Sequence, residues 1–190
     1  MTNHTDPVAL LEQAYDHAEG VLAEIGPDHY ELPTPCAEWN VHELVNHMIG
    51  SVHFMASAVA GDEPPAGDPP DFAASQEPAK ELRMAADRSL AVWRTDGALD
   101  GMVNLGPIEL PAQAVLGINQ LEMIAHAWDL CVALGVDRSI DSALAESAFA
   151  VAQMVASDDL RGDRFGPAVP IADDAPIHDR LAAFLGRQPA

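Results

Sequence analysis

Glu122 and His126 stand one helical turn apart within residues 110–136, a stretch that is otherwise largely apolar and holds no Lys or Arg. An i, i+4 spacing turns a helix by about 400°, so carboxylate and imidazole project from one face and can grip one object together. An ionised carboxylate in an apolar interior costs several kcal/mol unless something pairs it, and a divalent cation is the most effective partner. The simpler alternative is that the two side chains hydrogen-bond each other, because E-x-x-x-H is a short pattern that recurs by accident.

Two protein ligands plus solvent seldom hold a divalent ion firmly, so a metal site needs a third ligand from another element. The segment 41–60 offers His42, His47 and His53. On a helical wheel Val41, Leu44, Val45, Met48, Val52 and Val59 form the apolar stripe. His42 and His53 fall on one shoulder of that stripe, and His47 falls on the other with Ser51 and Phe54. Only one shoulder can face the helix of Glu122 and His126, and the wheel leaves His47 even with the other pair. Asp129, three residues beyond His126, falls on a similar face. It could orient a ligand imidazole, or equally make a surface or interhelical hydrogen bond.

Other reactive types carry less information. Cys36 precedes the second helix, where a helix N-terminus would lower a thiol pKa, although a packed structural thiol is the commoner state. Trp39 and Trp128 could line a pocket, yet a Trp near helix ends in a bundle is more often core. His4, His17, His29 and His178 read as solvated side chains.

Helices must position these groups. Asp6 and Pro7 open a first helix that runs to about residue 25 and ends at Gly26-Pro27. Asn40 and Glu43 form a capping-box pattern that opens the second, over 41–60. Residues 61–71, GDEPPAGDPPD, support neither helix nor strand. A third helix is expected over 77–93 with Leu82, Ala86, Leu90 and Trp93 inward. MVNLGPIELP reads as an extended linker because of its two prolines. The fourth helix, 113–134, is apolar nearly all round and so the most buried. A fifth follows over 141–157, with Leu144, Phe149, Val151 and Met154 inward, and then a short one over 176–185.

The fold class is therefore all-α, a bundle. The expected organisation is a single domain over 1–190, with the bundle core at about 7–157 and a tail at 158–190. At about 3.3 Å per residue the 61–71 loop can span over 30 Å, enough to let helices two and three run parallel through a crossover.

Composition narrows the partners. A net charge of -21, with one lysine (Lys80) and eight arginines, repels phosphate backbones and anionic lipid, so neither nucleic acid nor a membrane surface is expected. The 110–136 run is long enough to span a bilayer, but Glu122, His126 and Asp129 fall mid-span, where an Asp costs about 2.5–3.5 kcal/mol. Two cysteines without a C-x-x-C pairing and an N-terminus without a signal pattern predict a cytoplasmic setting.

TPCAEWNVHELVNHMIG, then NQLEMIAHAWDL and finally IHDRLAAFLGRQP together resemble the DinB/YfiT-like superfamily of metal-binding bundles. The resemblance is greatest to the actinobacterial branch related to the N-terminal domain of mycothiol-dependent maleylpyruvate isomerase, and it covers nearly the whole chain. It implies a four-helix bundle with an up-down-down-up course and an extra C-terminal helix. It also implies a metal held by His47, Glu122 and His126, which breaks the tie among the histidines in favour of His47. Two histidines and one glutamate suit zinc with an open position, while nickel or iron would also fit.

The function this implies is a metal-dependent transferase or isomerase that joins a mycothiol-type thiol to a small electrophile. A non-catalytic metal-binding or sensing protein is the alternative, and a bundle using Glu122 and His126 only to support its fold is a third. The isomerase carries an additional C-terminal domain, so the resemblance does not extend to maleylpyruvate isomerisation itself. Arg161, Arg164, Arg180 and Arg187 could fold over the metal mouth to bind a substrate carboxylate, or remain solvated. By analogy with related bundles a homodimer is expected.

Overall fold

The computed structural model describes residues 6–37, 39–62, 69–137, 139–156, 161 and 165–189. Capping chemistry sets where its helices begin. Helix α1 (Pro7–Leu22) starts with Pro at its first position and with the Asp6 carboxylate accepting the Val8 N–H. It stops at Leu22 rather than residue 25, its end tightened by bonds from Glu24 N–H to the Val21 carbonyl and from Ile25 N–H to that of Leu22. Helix α2 (Val41–Ala60) opens with the expected box: Asn40 Oδ1 accepts the Glu43 N–H and Glu43 Oε2 accepts the Asn40 N–H, each at 2.9 Å.

Helices α3 (Pro78–Trp93), α4 (Ala112–Leu134), α5 (Ser142–Val155) and α6 (Ile177–Phe184) follow. The expected inward face of α3, Leu82, Ala86, Leu90 and Trp93, is buried. On α5 it is Ala145, Ala148 and Ala152 that join Leu144 inside, and Met154 is exposed. Small residues win there because α5 lies close on α4: a Cβ added to Gly117 would come 3.1 Å from Val151 Cγ2. Ser157, expected as the last residue of α5, lies outside the described residues, as do His4, Arg164 and residues 63–68 of the long loop.

Side-chain bonds fix the course of the bundle. Arg83 of α3 reaches Asp16 and Glu19 of α1, and Arg94, just past the end of α3, reaches back to Glu12, so these helices run antiparallel. Asn46 of α2 bonds Asp71 and the Ala73 N–H just before α3, while Ser57 and Asp62 at the other end of α2 meet Arg88. Helices α2 and α3 are therefore parallel, joined by the crossover that the loop length allows. Trp39 lies against His126 and His47 against Glu122, which makes α2 and α4 antiparallel. The result is an all-α, DinB-like up-down-down-up bundle, with α1 and α2 on opposite corners and α5 and α6 stacked on α4.

A buried hydrogen-bond chain pins three of the helices together in mid-bundle. Asn119 Nδ2 of α4 donates to Tyr15 Oη of α1 at 2.9 Å, and that hydroxyl lies 2.8 Å from Ser89 Oγ of α3. All three residues are sealed from solvent. Polar groups paired across helices in such a core favour one register over sliding alternatives, and Asn119 Oδ1 is left without a hydrogen-bond partner among the described residues.

The expected extended linker is instead a small antiparallel hairpin, β1 (Met102–Asn104) with β2 (Glu109–Pro111), paired Met102 to Pro111 and Asn104 to Glu109. Its prolines do not obstruct it, because Pro107 lies in the turn and Pro111 is the last strand residue. Gly106, at φ 94°, makes the turn, its N–H donating to Asn104 Oδ1. Val103 is buried as the hairpin packs against α2 and α4. Among the described residues no helix is long and apolar enough to cross a membrane.

Candidate metal centre

The two shoulders of α2 separate as the wheel requires. His42 Nε2 sits 3.0 Å from Asp71 Oδ1 and the His53 ring stacks on Phe72 at 5.3 Å, both toward the crossover. His47 turns the other way, toward α4. Its Nε2 lies 2.9 Å from Glu122 Oε2, and His126 Nε2 lies 3.3 Å from the same oxygen. The imidazole rings stand nearly perpendicular at 87°, with centroids 5.0 Å apart. One ligand atom from each of the three residues lies within 4.8 Å of the others.

Zinc bonds of about 2.0–2.2 Å in a tetrahedron put neighbouring donor atoms roughly 3.3 Å apart. The 2.9 and 3.3 Å separations are close to that spacing, so the trio fits a divalent ion with small side-chain shifts. Two imidazoles and one carboxylate are also a donor set that leaves a coordination position open.

Electrostatics within the cluster run against burial. Burial pushes the Glu122 carboxyl up, but hydrogen bonds with His126 and His47, reinforced by their charge, prevail and hold it well below the ordinary carboxylate range. For His126 burial favours the neutral ring, yet bonds to Asp129 and Glu122 outweigh it and raise its pKa to about 9. Without a metal, the His126 ring therefore carries protons on both nitrogens at neutral pH.

Asp129 meets the His126 imidazole inside the protein. Its side chain is fully buried, and Oδ2 lies 3.0 Å from His126 Nδ1. Arg187, just past the end of α6, closes a fork on it, with Nε 3.1 Å from Oδ1 and Nη2 2.8 Å from Oδ2. Burial raises the Asp129 carboxyl, but these bonds dominate and keep it below its usual range. Of the other C-terminal arginines, Arg161 donates to the Gly166 and Phe184 carbonyls, and Arg180 lies over the Phe149 ring.

Two residues weighed as structural come to the site. Trp39 lies 4.3 Å from the His47 ring at a tilt of 31°, placed by a turn in which Thr34 Oγ1 donates to the Trp39 carbonyl. Cys36, half-buried in the same turn, brings its sulfur within 4.8 Å of ligand atoms of His126 and Asp129. Trp128 is buried and donates to Asp179 of α6. An open hollow of about 450 Å³ beside α1, lined by Asp16, His17, Glu24 and Asp137 among others, contains none of the cluster residues.

Bundle course and converging ligand types together define a DinB-like helical protein. The chain belongs to the family described as mycothiol maleylpyruvate isomerase N-terminal domain, whose model matches residues 11–131. That span includes His47, Glu122 and His126. Two curated relatives from Mycobacterium tuberculosis, the uncharacterized protein MT0763 of strain CDC 1551 and the uncharacterized protein Rv0738 of strain H37Rv, are each 29% identical over 188 residues. Each alignment covers 96% of this chain and 98% of the relative. Among solved structures, the crystal structure of the mycothiol-dependent maleylpyruvate isomerase and that of a histidine-to-alanine mutant superpose with a TM-score of 0.55 at 17% identity. The match takes in 74% of this chain and 65% of that enzyme, so this chain spans just under two thirds of its length. The likeness is one of fold.

Proposed function

We propose that His47, Glu122 and His126 hold a divalent ion, zinc being the best fit to the donor set, and that the protein is a metal-dependent thiol transferase or isomerase. The observation that carries this reading is the convergence of two imidazole Nε2 atoms from different helices on one carboxylate oxygen. When bound, the ion would lower the pKa of a thiol in its open position from about 8.5, supplying a thiolate near neutral pH. Family membership supports a mycothiol-type thiol as the cosubstrate and a small electrophile as the acceptor.

The protein's own groups prepare the site. Glu122 would contribute negative charge that offsets part of a bound dication's charge. Asp129 accepts the His126 Nδ1 proton, which leaves Nε2 as the ligand nitrogen. Trp39 packs against the His47 ring at 4.3 Å. A direct test is thiol-dependent consumption of a panel of small electrophiles by zinc-loaded protein. Turnover that disappears in His47→Ala supports the transferase. Stoichiometric metal with no turnover across the panel rejects it in favour of a non-catalytic metal protein.

A further inference from the structure

We propose that Arg187 is a positioning residue of the metal centre, locking Asp129, and through it the His126 imidazole, in the state a metal ligand requires. The proposal rests on the reading that His47, Glu122 and His126 hold a divalent ion. Arg187 lies 58 residues from Asp129 in sequence, outside the residues 11–131 that the family model matches.

The geometry is that of a fork on a carboxylate, the strongest form of such pairing. Nε and Nη2 each take one oxygen of Asp129, and Nη1 donates to the Leu185 carbonyl at 3.2 Å, so every nitrogen of the guanidinium is engaged within the protein. This commitment removes Arg187 from the set of arginines free to bind a substrate carboxylate. The fork holds the Asp129 carboxylate in one orientation, with Oδ2 3.0 Å from His126 Nδ1. With His126 Nδ1 engaged by Asp129, Nε2 is the ring nitrogen that faces Glu122 and His47.

The α6 terminus delivers this side chain. Helix α6 closes with the Arg187 N–H on the Ala182 carbonyl at 2.9 Å and the Gly186 N–H on that of Ala183 at 3.0 Å, a Schellman ending. Gly186 has φ 89°, and a Cβ there would lie 2.9 Å from Gly166 Cα, so only glycine seats the turn. Arg161 bonds both Gly166 and Phe184, tying the two sides of that turn together. The C-terminal segment is thereby part of the metal centre, and by linkage its docking and metal binding strengthen each other.

Competition of the full-length protein with a chelator for zinc, alongside the absorption spectrum of the cobalt(II)-loaded form, tests this. Arg187→Gln should weaken zinc binding about 10- to 100-fold and alter the cobalt spectrum, with Arg187→Lys recovering part of the loss. In an Asp129→Asn background, Arg187→Gln should change affinity no further. An Arg187→Gln protein that melts earlier but keeps wild-type zinc affinity and cobalt spectrum overturns the proposal, as does an undiminished effect in the Asp129→Asn background. Wild-type protein that binds neither metal overturns the underlying metal reading instead, a result distinct from either.

Discussion

His47 and Glu122, 75 residues apart in sequence, stand 2.9 Å apart because α2 and α4 run antiparallel along one side of the bundle. His126, one turn further along α4, meets the same carboxylate oxygen from the other direction. The contact brings an imidazole of one helix to the carboxylate and imidazole pair of another.

The stability of the metal-free protein should depend on pH through this cluster. His126 has its pKa raised from 6.5 to about 9, so its contribution is full below about 6.5 and is lost as pH rises through about 9. Glu122 and Asp129 are held below their ordinary values, so theirs is present above about pH 4 and is lost as pH falls through the depressed values. Thermal melts of chelator-treated protein should therefore give a higher midpoint at pH 6 than at pH 9.5, and His126→Gln should flatten that difference. An equal alkaline decline in the variant would place its origin elsewhere.

Trp39, tilted over His47 at 4.3 Å, should report on the ion. Cobalt(II) quenches nearby indole emission, so titration should dim the protein in proportion to occupancy. In Trp39→Phe most of that quenching should vanish while metal affinity stays within about threefold, and quenching that persists unchanged would assign the signal to Trp93 or Trp128.

Removing the Tyr15 hydroxyl strands its partners Ser89 and Asn119 in a sealed core. Tyr15→Phe should cost about 1–3 kcal/mol by urea unfolding, the scale of leaving buried polar groups unsatisfied. A loss under about 0.5 kcal/mol would mean the chain contributes little to holding α1, α3 and α4 together.

Much of this was legible in the sequence because it is local. Capping residues such as Asn40 with Glu43, and the apolar periodicity of α3, mark helix positions without tertiary information. The i, i+4 pair on α4 announced itself by being charged where its neighbours are not. Which shoulder of α2 faces α4 is a tertiary fact, and only the resemblance selected His47. The 102–111 hairpin was missed because two prolines weigh against a strand, a rule with exceptions at turns and strand ends. Arg187 on Asp129 and Cys36 beside His126 carry no local signal at all, since loop and α6 packing bring them in from distant parts of the chain.

Whether the protein holds a metal where α2 meets α4 decides the proposed function. Elemental analysis of protein purified without added metal or a histidine tag, beside His47→Ala and His126→Ala, measures this directly. Close to one divalent ion per chain is expected in the wild type, with its loss in both variants. Wild-type protein that carries no metal and takes up none on titration would contradict that function.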